Sequence, residues 1–91
     1  MLAIASEFGP DGVTANVIAP GLTRTAGTLA RGNWPGGRSA EEFFAFSGAI
    51  HPIPRIGTPE DMVGTLSYLA SDDAAYVTGQ TIFVGGGLIR A

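Results

Sequence analysis

The sequence predicts an α/β fold with parallel strands, and three observations point that way. The run VTANVIA, Val13 to Ala19, is apolar on nearly every residue instead of alternating. Such a run suits a strand covered on both faces, as parallel sheets require. A second β-forming run, QTIFV at Gln80–Val84, follows far downstream. Between the two lie two segments with helix-start signals, enough chain for a right-handed crossover. The expected order is helix, strand, helix, helix, strand.

Taken in order, LAIASEF opens with Leu2, Ala5 and Phe8 three residues apart on one helical face. The cluster Gly9-Pro10-Asp11-Gly12 stops this helix, and no capping residue precedes Leu2. The strand Val13–Ala19 then meets an abrupt Pro20-Gly21. From Gly21 to Arg38 the periodicity dissolves into five glycines, one proline and an isolated Trp34. A loop of that length without a strong period is usually functional or mobile. Trp34 either packs over a substrate or anchors the loop.

Ser39, with Glu42 three residues on, forms a capping box for a helix that carries Phe43, Phe46 and Ile50 on one side. His51-Pro52-Ile53-Pro54 breaks it. Thr58 caps the next helix, Pro59 suits its first position, and Glu60 and Asp61 place negative charge at the positive end of the dipole. That helix is expected to reach Ala70 with Met62, Val63, Leu66 and Leu69 facing inward. Gly85-Gly86-Gly87 closes the last strand. Two strands are too few for a free-standing sheet, and Val13–Ala19 calls for neighbours on both edges. The sequence reads as part of a sheet.

Composition narrows the function. The chain has 91 residues, a net charge of −3, five arginines and no lysine. No basic cluster is present to meet a phosphate backbone, so nucleic acid is not an expected partner. The absence of cysteine excludes disulfides, thiolate metal sites and cysteine nucleophiles. No apolar run is long enough to span a membrane, and no secretory leader pattern precedes the first helix. A soluble, cytoplasmic protein is expected. Nearly half the residues are hydrophobic and only 14% are charged. For so small a chain that shortfall of charge implies surface covered by other polypeptide.

The most suggestive stretch is TANVIAPGLTRT, where a strand ends at Pro20-Gly21 and threonines bracket Arg24. By itself, Pro-Gly terminates a strand and nothing more. Three blocks in order change the reading: LAIASEFGPDGV, ANVIAPGLTRT, and RIGTPEDMVGTLSYLASDDAAYVTGQTIFVGGG. They resemble consecutive blocks of the carboxyl-terminal part of short-chain dehydrogenases/reductases.

The resemblance implies a Rossmann-type doubly wound parallel sheet, with residues 1–91 as its carboxyl-terminal segment and 26–54 as the substrate loop or lid. It implies hydride transfer between NAD or NADP and a small alcohol or carbonyl substrate. In such sheets ligands lie outside the carboxyl ends of the strands. The family's Pro-Gly-x-x-x-Thr motif maps onto Pro20, Gly21 and Thr25, with Leu22 inside the turn. Thr23 takes the position whose backbone holds the nicotinamide amide, and the Thr25 hydroxyl can donate to a phosphate. Glycine at 21 would keep a Cβ clear of the ligand. A homo-oligomer is also implied, because in many members the last strand and preceding helix form a subunit interface.

The chain departs from the family in what it lacks. The serine, tyrosine and lysine that handle the substrate proton are missing. By the family's spacing the lysine would fall a few residues before Met1. Gly85-Gly86-Gly87 precedes too little chain to open a phosphate-binding helix. The isolated chain is therefore expected to be inactive, and the competing reading is a non-catalytic binding or interaction module. Thr23 stands where the family more often has Val or Ile, and Gly85 where it usually has an acid.

The remaining polar residues have simpler explanations. His51 is expected to bond backbone or solvent, Arg55 to order the turn before the next helix, and the acid pairs to serve helix ends. No metal site is expected.

Overall fold

The computed structural model describes residues 2–88. Helix α1 spans Leu2–Phe8 and ends in a 3-10 turn, Gly9–Asp11, closed by Gly12 at φ 81°. Strand β1 is Val17–Pro20 and strand β2 is Thr81–Val84. Between them come α2 (Ala26–Ala30), α3 (Ala40–Ala49) and α4 (Val63–Leu69), the last entered through a 3-10 turn at Pro59–Met62. The strands pair in parallel, with Val17 opposite Thr81 and Pro20 opposite Val84. The expected α/β layering with a parallel crossover is therefore present. Among the described residues no helix is long and apolar enough to cross a membrane.

The first strand is shorter than Val13–Ala19, and Asn16 supplies the reason. Its side-chain amide donates to the Val77 carbonyl at 3.0 Å, and its side-chain oxygen accepts the Gln80 N–H at 3.1 Å. The Ala15 N–H donates to the Thr78 hydroxyl, and the Gly79 N–H to the Ala15 carbonyl. A side chain thus replaces the ladder at this point, and regular pairing begins only at Val17. Nor is β1 buried on both faces as its apolar run predicts. Val17, Ile18 and Ala19 are half-buried and Pro20 and Val13 exposed, and among the described residues β1 is paired along one edge only.

The stretch Gly21–Arg38 is more ordered than its composition suggests. Thr25 caps α2 through a capping box with Thr28. Trp34 is buried, stacked on Phe43 at 5.0 Å between ring centres and edge-on to Phe44 at 5.6 Å. Of the two roles open to it, Trp34 takes the anchor. It centres a cluster with Ala40 and Phe44, joined by Leu22, Phe43 and Ile56.

That cluster corrects the expected face of α3. The Ser39–Glu42 capping box is present, but the buried face is Ala40, Phe44, Ser47 and Gly48; of the expected residues Phe43 is half-buried against the cluster, while Phe46 and Ile50 are exposed. Phe44 is 3% exposed and Phe46 49%. Of the residues expected to face inward on α4 and its entry turn, Met62 and Leu69 are half-buried, but Val63 and Leu66 are 61% and 60% exposed, so half of that face meets solvent. Its Thr58 cap is present, through a capping box with Asp61.

Candidate functional site

The turn after β1 sits at the carboxyl end of the sheet. The ladder ends where the Gly21 N–H donates to the Val84 carbonyl at 3.0 Å. Packing by itself requires glycine at 21. A Cβ there would come within 2.8 Å of the Gly85 Cα, and one at Gly85 within 3.3 Å of the Gly21 Cα. Two backbones touch at this point. A side chain at Gly85, where the resemblance leads one to expect an acid, would need only a shift of a few tenths of an ångström.

Beyond Gly21 the chain is held by Gly57. The Gly57 N–H donates to the Leu22 carbonyl at 3.1 Å, and the Arg24 N–H donates to the Gly57 carbonyl at 2.8 Å. This single parallel bridge turns the peptide groups of Thr23 to the opposite side. The Thr23 carbonyl accepts a hydrogen bond from the Thr28 hydroxyl at 2.8 Å. The Thr23 N–H has no hydrogen-bond partner among the described residues. A free donor and an acceptor with a lone pair to spare therefore stand side by side, the pattern that complements a carboxamide.

The side chains of the turn divide the remaining tasks. The Thr23 hydroxyl bends back to the Gly21 carbonyl at 3.0 Å, so only the main chain of Thr23 is available. Leu22 packs into the Trp34 cluster and ties the turn to it. The Thr25 hydroxyl, on an exposed residue, accepts the Thr28 N–H at 3.1 Å and lies 3.2 Å from the Thr28 hydroxyl, a contact in which either oxygen can be the donor. Pro20 ends β1 and is exposed. The turn thus brings Pro20, Gly21, Leu22, Thr23 and Thr25 together, with main chain and one hydroxyl as the groups available to a ligand.

Two ion pairs brace the surroundings. Arg24 grips Glu41 with both terminal nitrogens, at 2.5 and 2.9 Å, and lies over the Phe44 ring at 5.2 Å. The pairing lowers the Glu41 carboxyl below its ordinary range and raises the Arg24 guanidinium. Arg55 grips Asp61 in the same two-pronged way at 2.7 Å, and Asp61 also accepts the Thr58 N–H at 2.7 Å. Arg55 therefore orders the turn before α4, as its sequence context predicts. The His51 Nδ1–H donates to the Ser47 carbonyl at 2.6 Å, a buried backbone bond. Beside the turn, Gly57, Asp61, Val84 and Gly85 line part of a cavity of about 110 Å³. Ligand pockets for small molecules are roughly 300–1,000 Å³, so this cavity is too small to hold a nucleotide by itself, and no residue of the turn from Pro20 to Thr25 lines it.

Three residues escaped the sequence reading. Thr28 carried a signal, since Thr25-x-x-Thr28 has the spacing of a capping box with threonine in place of the acid. Gly57 and Asn16 carried none, because their partners lie far along the chain.

The geometry agrees with what the chain is similar to. A family model described as enoyl-(acyl carrier protein) reductase matches residues 1–89. Dehydrogenase/reductase SDR family member 4 of Caenorhabditis elegans is 38% identical over 86 residues, covering 94% of this chain and 32% of the relative. The chain spans about a third of the length of the curated relatives it matches. Among solved structures, a 3-oxoacyl-[acyl-carrier protein] reductase with bound NAD from Brucella melitensis superposes with a TM-score of 0.75 at 31% identity, over 98% of this chain and 29% of that one. A blue fluorescent protein from a metagenomic library, in complex with NADPH, gives 0.73 at 28% identity, over 97% and 32%. With nearly every residue matched by the family model and the parallel α/β layering shared, the chain belongs to the short-chain dehydrogenase/reductase family and carries part of its Rossmann-type fold.

Proposed function

We propose that these residues form the nicotinamide-side wall of an NAD- or NADP-dependent oxidoreductase acting on a small alcohol or carbonyl substrate. One observation carries the reading. At the carboxyl end of the sheet, Thr23 offers an N–H without a partner among the described residues beside a carbonyl with a lone pair to spare, and a carboxamide needs that pairing. The exposed Thr25 hydroxyl can turn its hydrogen from the Thr28 hydroxyl, 3.2 Å away, to a phosphate oxygen. Support comes also from the two similar structures, one with NAD and one with NADPH. The nicotinamide supplies or accepts the hydride. The part of this chain is to bind and orient it through Gly21, Leu22, Thr23 and Thr25, with Pro20 fixing the end of the strand. Residues 26–54, built around the Trp34 cluster, cover the substrate side.

Proton handling at the substrate oxygen lies outside these residues. The chain has no lysine to lower a tyrosine pKa, and no other group in the turn is suited to the task. Binding without turnover is therefore expected of the 91-residue chain. The test is a titration of the ¹⁵N-labelled chain with nicotinamide mononucleotide, followed by amide resonances and by absorbance of the reduced cofactor. Saturable shifts are expected at Thr23, Arg24 and Thr25, with no change in redox state. Shifts spread evenly over the chain, or absent from the turn, would remove the reading.

A further inference from the structure

Thr28 is the third residue of α2, and its hydroxyl reaches outside that helix. It accepts the Thr25 N–H at 2.8 Å and lies 2.8 Å from the Thr23 carbonyl, 3.1 Å from the Thr25 carbonyl and 3.2 Å from the Thr25 hydroxyl. A hydroxyl has one hydrogen to give and two lone pairs. The Thr25 N–H takes a lone pair, and the hydrogen goes to the nearer carbonyl, that of Thr23.

An ordinary helix cap would stop at the Thr25 N–H. The added bond to Thr23, five residues back, clamps the turn from the side opposite Gly57. The peptide on either side of Thr23 is thereby fixed. The Thr23 N–H and the second carbonyl lone pair remain free on one edge. The Thr25 hydroxyl accepts the Thr28 N–H and, with the Thr28 hydrogen committed to Thr23, is the donor of the 3.2 Å contact to the Thr28 hydroxyl, from which its exposed position lets it turn to a ligand.

We propose that Thr28 is the positioning residue of this turn: its hydroxyl holds the Thr23 carbonyl and the Thr25 amide so that one rigid edge meets the carboxamide and phosphate of a nicotinamide nucleotide. The proposal rests on the cofactor reading given above. Thr28 touches neither substrate nor cofactor and acts through Thr23 and Thr25.

The test compares the unsubstituted chain with Thr28→Val, which keeps the shape without the hydroxyl, and Thr28→Ser, which keeps the hydroxyl. Nicotinamide mononucleotide is the probe, and amide exchange at Thr25 and thermal melting are read alongside. Removing one neutral hydrogen-bonding group is expected to weaken binding of Thr28→Val about fivefold to tenfold. The Thr25 amide should exchange faster, and Thr28→Ser should bind within about twofold of the original, since its bonds are kept.

Equal binding by the valine variant overturns the proposal alone, as does a serine variant that binds as weakly as valine. No binding by any of the three overturns the cofactor reading, and this proposal with it. Should the valine variant fail to fold, the hydroxyl proton of Thr28 in the unsubstituted chain decides. Slow exchange with water supports the clamp, and exchange as fast as an exposed hydroxyl overturns it.

Discussion

The carboxylate of Asp61 accepts from four donors: both terminal nitrogens of Arg55, and the N–H and hydroxyl of Thr58. These bonds favour the charged form, Arg55 most and the Thr58 N–H next, and hold the carboxyl well below its ordinary range. A group whose pKa is depressed by folding stabilises the fold above its unfolded pKa, about 3.9 for aspartate, and loses that contribution as pH falls toward the folded value. Glu41 and Glu42 are shifted the same way, by Arg24 and by the Ser39 N–H respectively. Urea midpoints are therefore expected to be level from about pH 5 to 8 and to decline below about pH 4. Asp61→Asn should lower the neutral midpoint and flatten the acid decline. An unchanged acid limb in that variant would show that Asp61 does not supply it. The sequence announced these acids as helix-end residues, because capping operates over three residues. It also assigned Arg55 to the turn, although not to Asp61 by name.

At the scale of elements, caps were legible and buried faces were not. Ser39 and Glu42 close a box within one turn, so the start of α3 could be read directly. Which phenylalanine of FFAF points inward depends on Trp34, which comes from a separate segment and selects Phe43 and Phe44. Phe46 is left to the Arg38 guanidinium, 4.2 Å above its ring. Phe44→Ala is expected to cost about 3–5 kcal/mol, and Phe46→Ala about 1 kcal/mol or less. Domains of this kind are stable by only about 5–15 kcal/mol, so the first substitution should abolish or nearly abolish the cooperative transition. Circular dichroism during thermal unfolding separates the two, and equal effects would contradict the assigned face. α2 was hidden in the sequence because glycine-rich surroundings masked a five-residue helix whose stability comes from the Thr25–Thr28 box.

Across the whole molecule, the dimensions are those of an elongated body. The radius of gyration is 16.2 Å, and the principal extents are 50 × 22 × 21 Å. A compact chain of this length has a radius near 12 Å. The accessible surface is 6067 Å², against about 5,000 Å² for a compact monomer of the same mass. Large apolar side chains such as Leu2, Val63 and Leu66 are exposed, and among the described residues β1 has a free edge. Unpaired strand edges and exposed apolar faces drive association. The isolated chain is therefore expected to self-associate at micromolar concentration, with sedimentation velocity as the measurement. A monodisperse monomer would show that these faces are tolerated in water.

The sequence by itself determined the α/β order, the helix starts at Ser39 and Thr58, the end of the first strand at Pro20-Gly21, and the family. All of these are written in residues close together or in short blocks. Only the tertiary structure decided that Asn16 delays the strand, that Gly21 is small for the sake of Gly85, and that Gly57 and Thr28 clamp Thr23 from opposite sides. The Asn16, Gly85 and Gly57 contacts depend on segments distant in sequence approaching within a few ångströms, and the Thr28 bond on a turn that folds back over five residues; hydrogen bonding of either kind is set by the path of the chain.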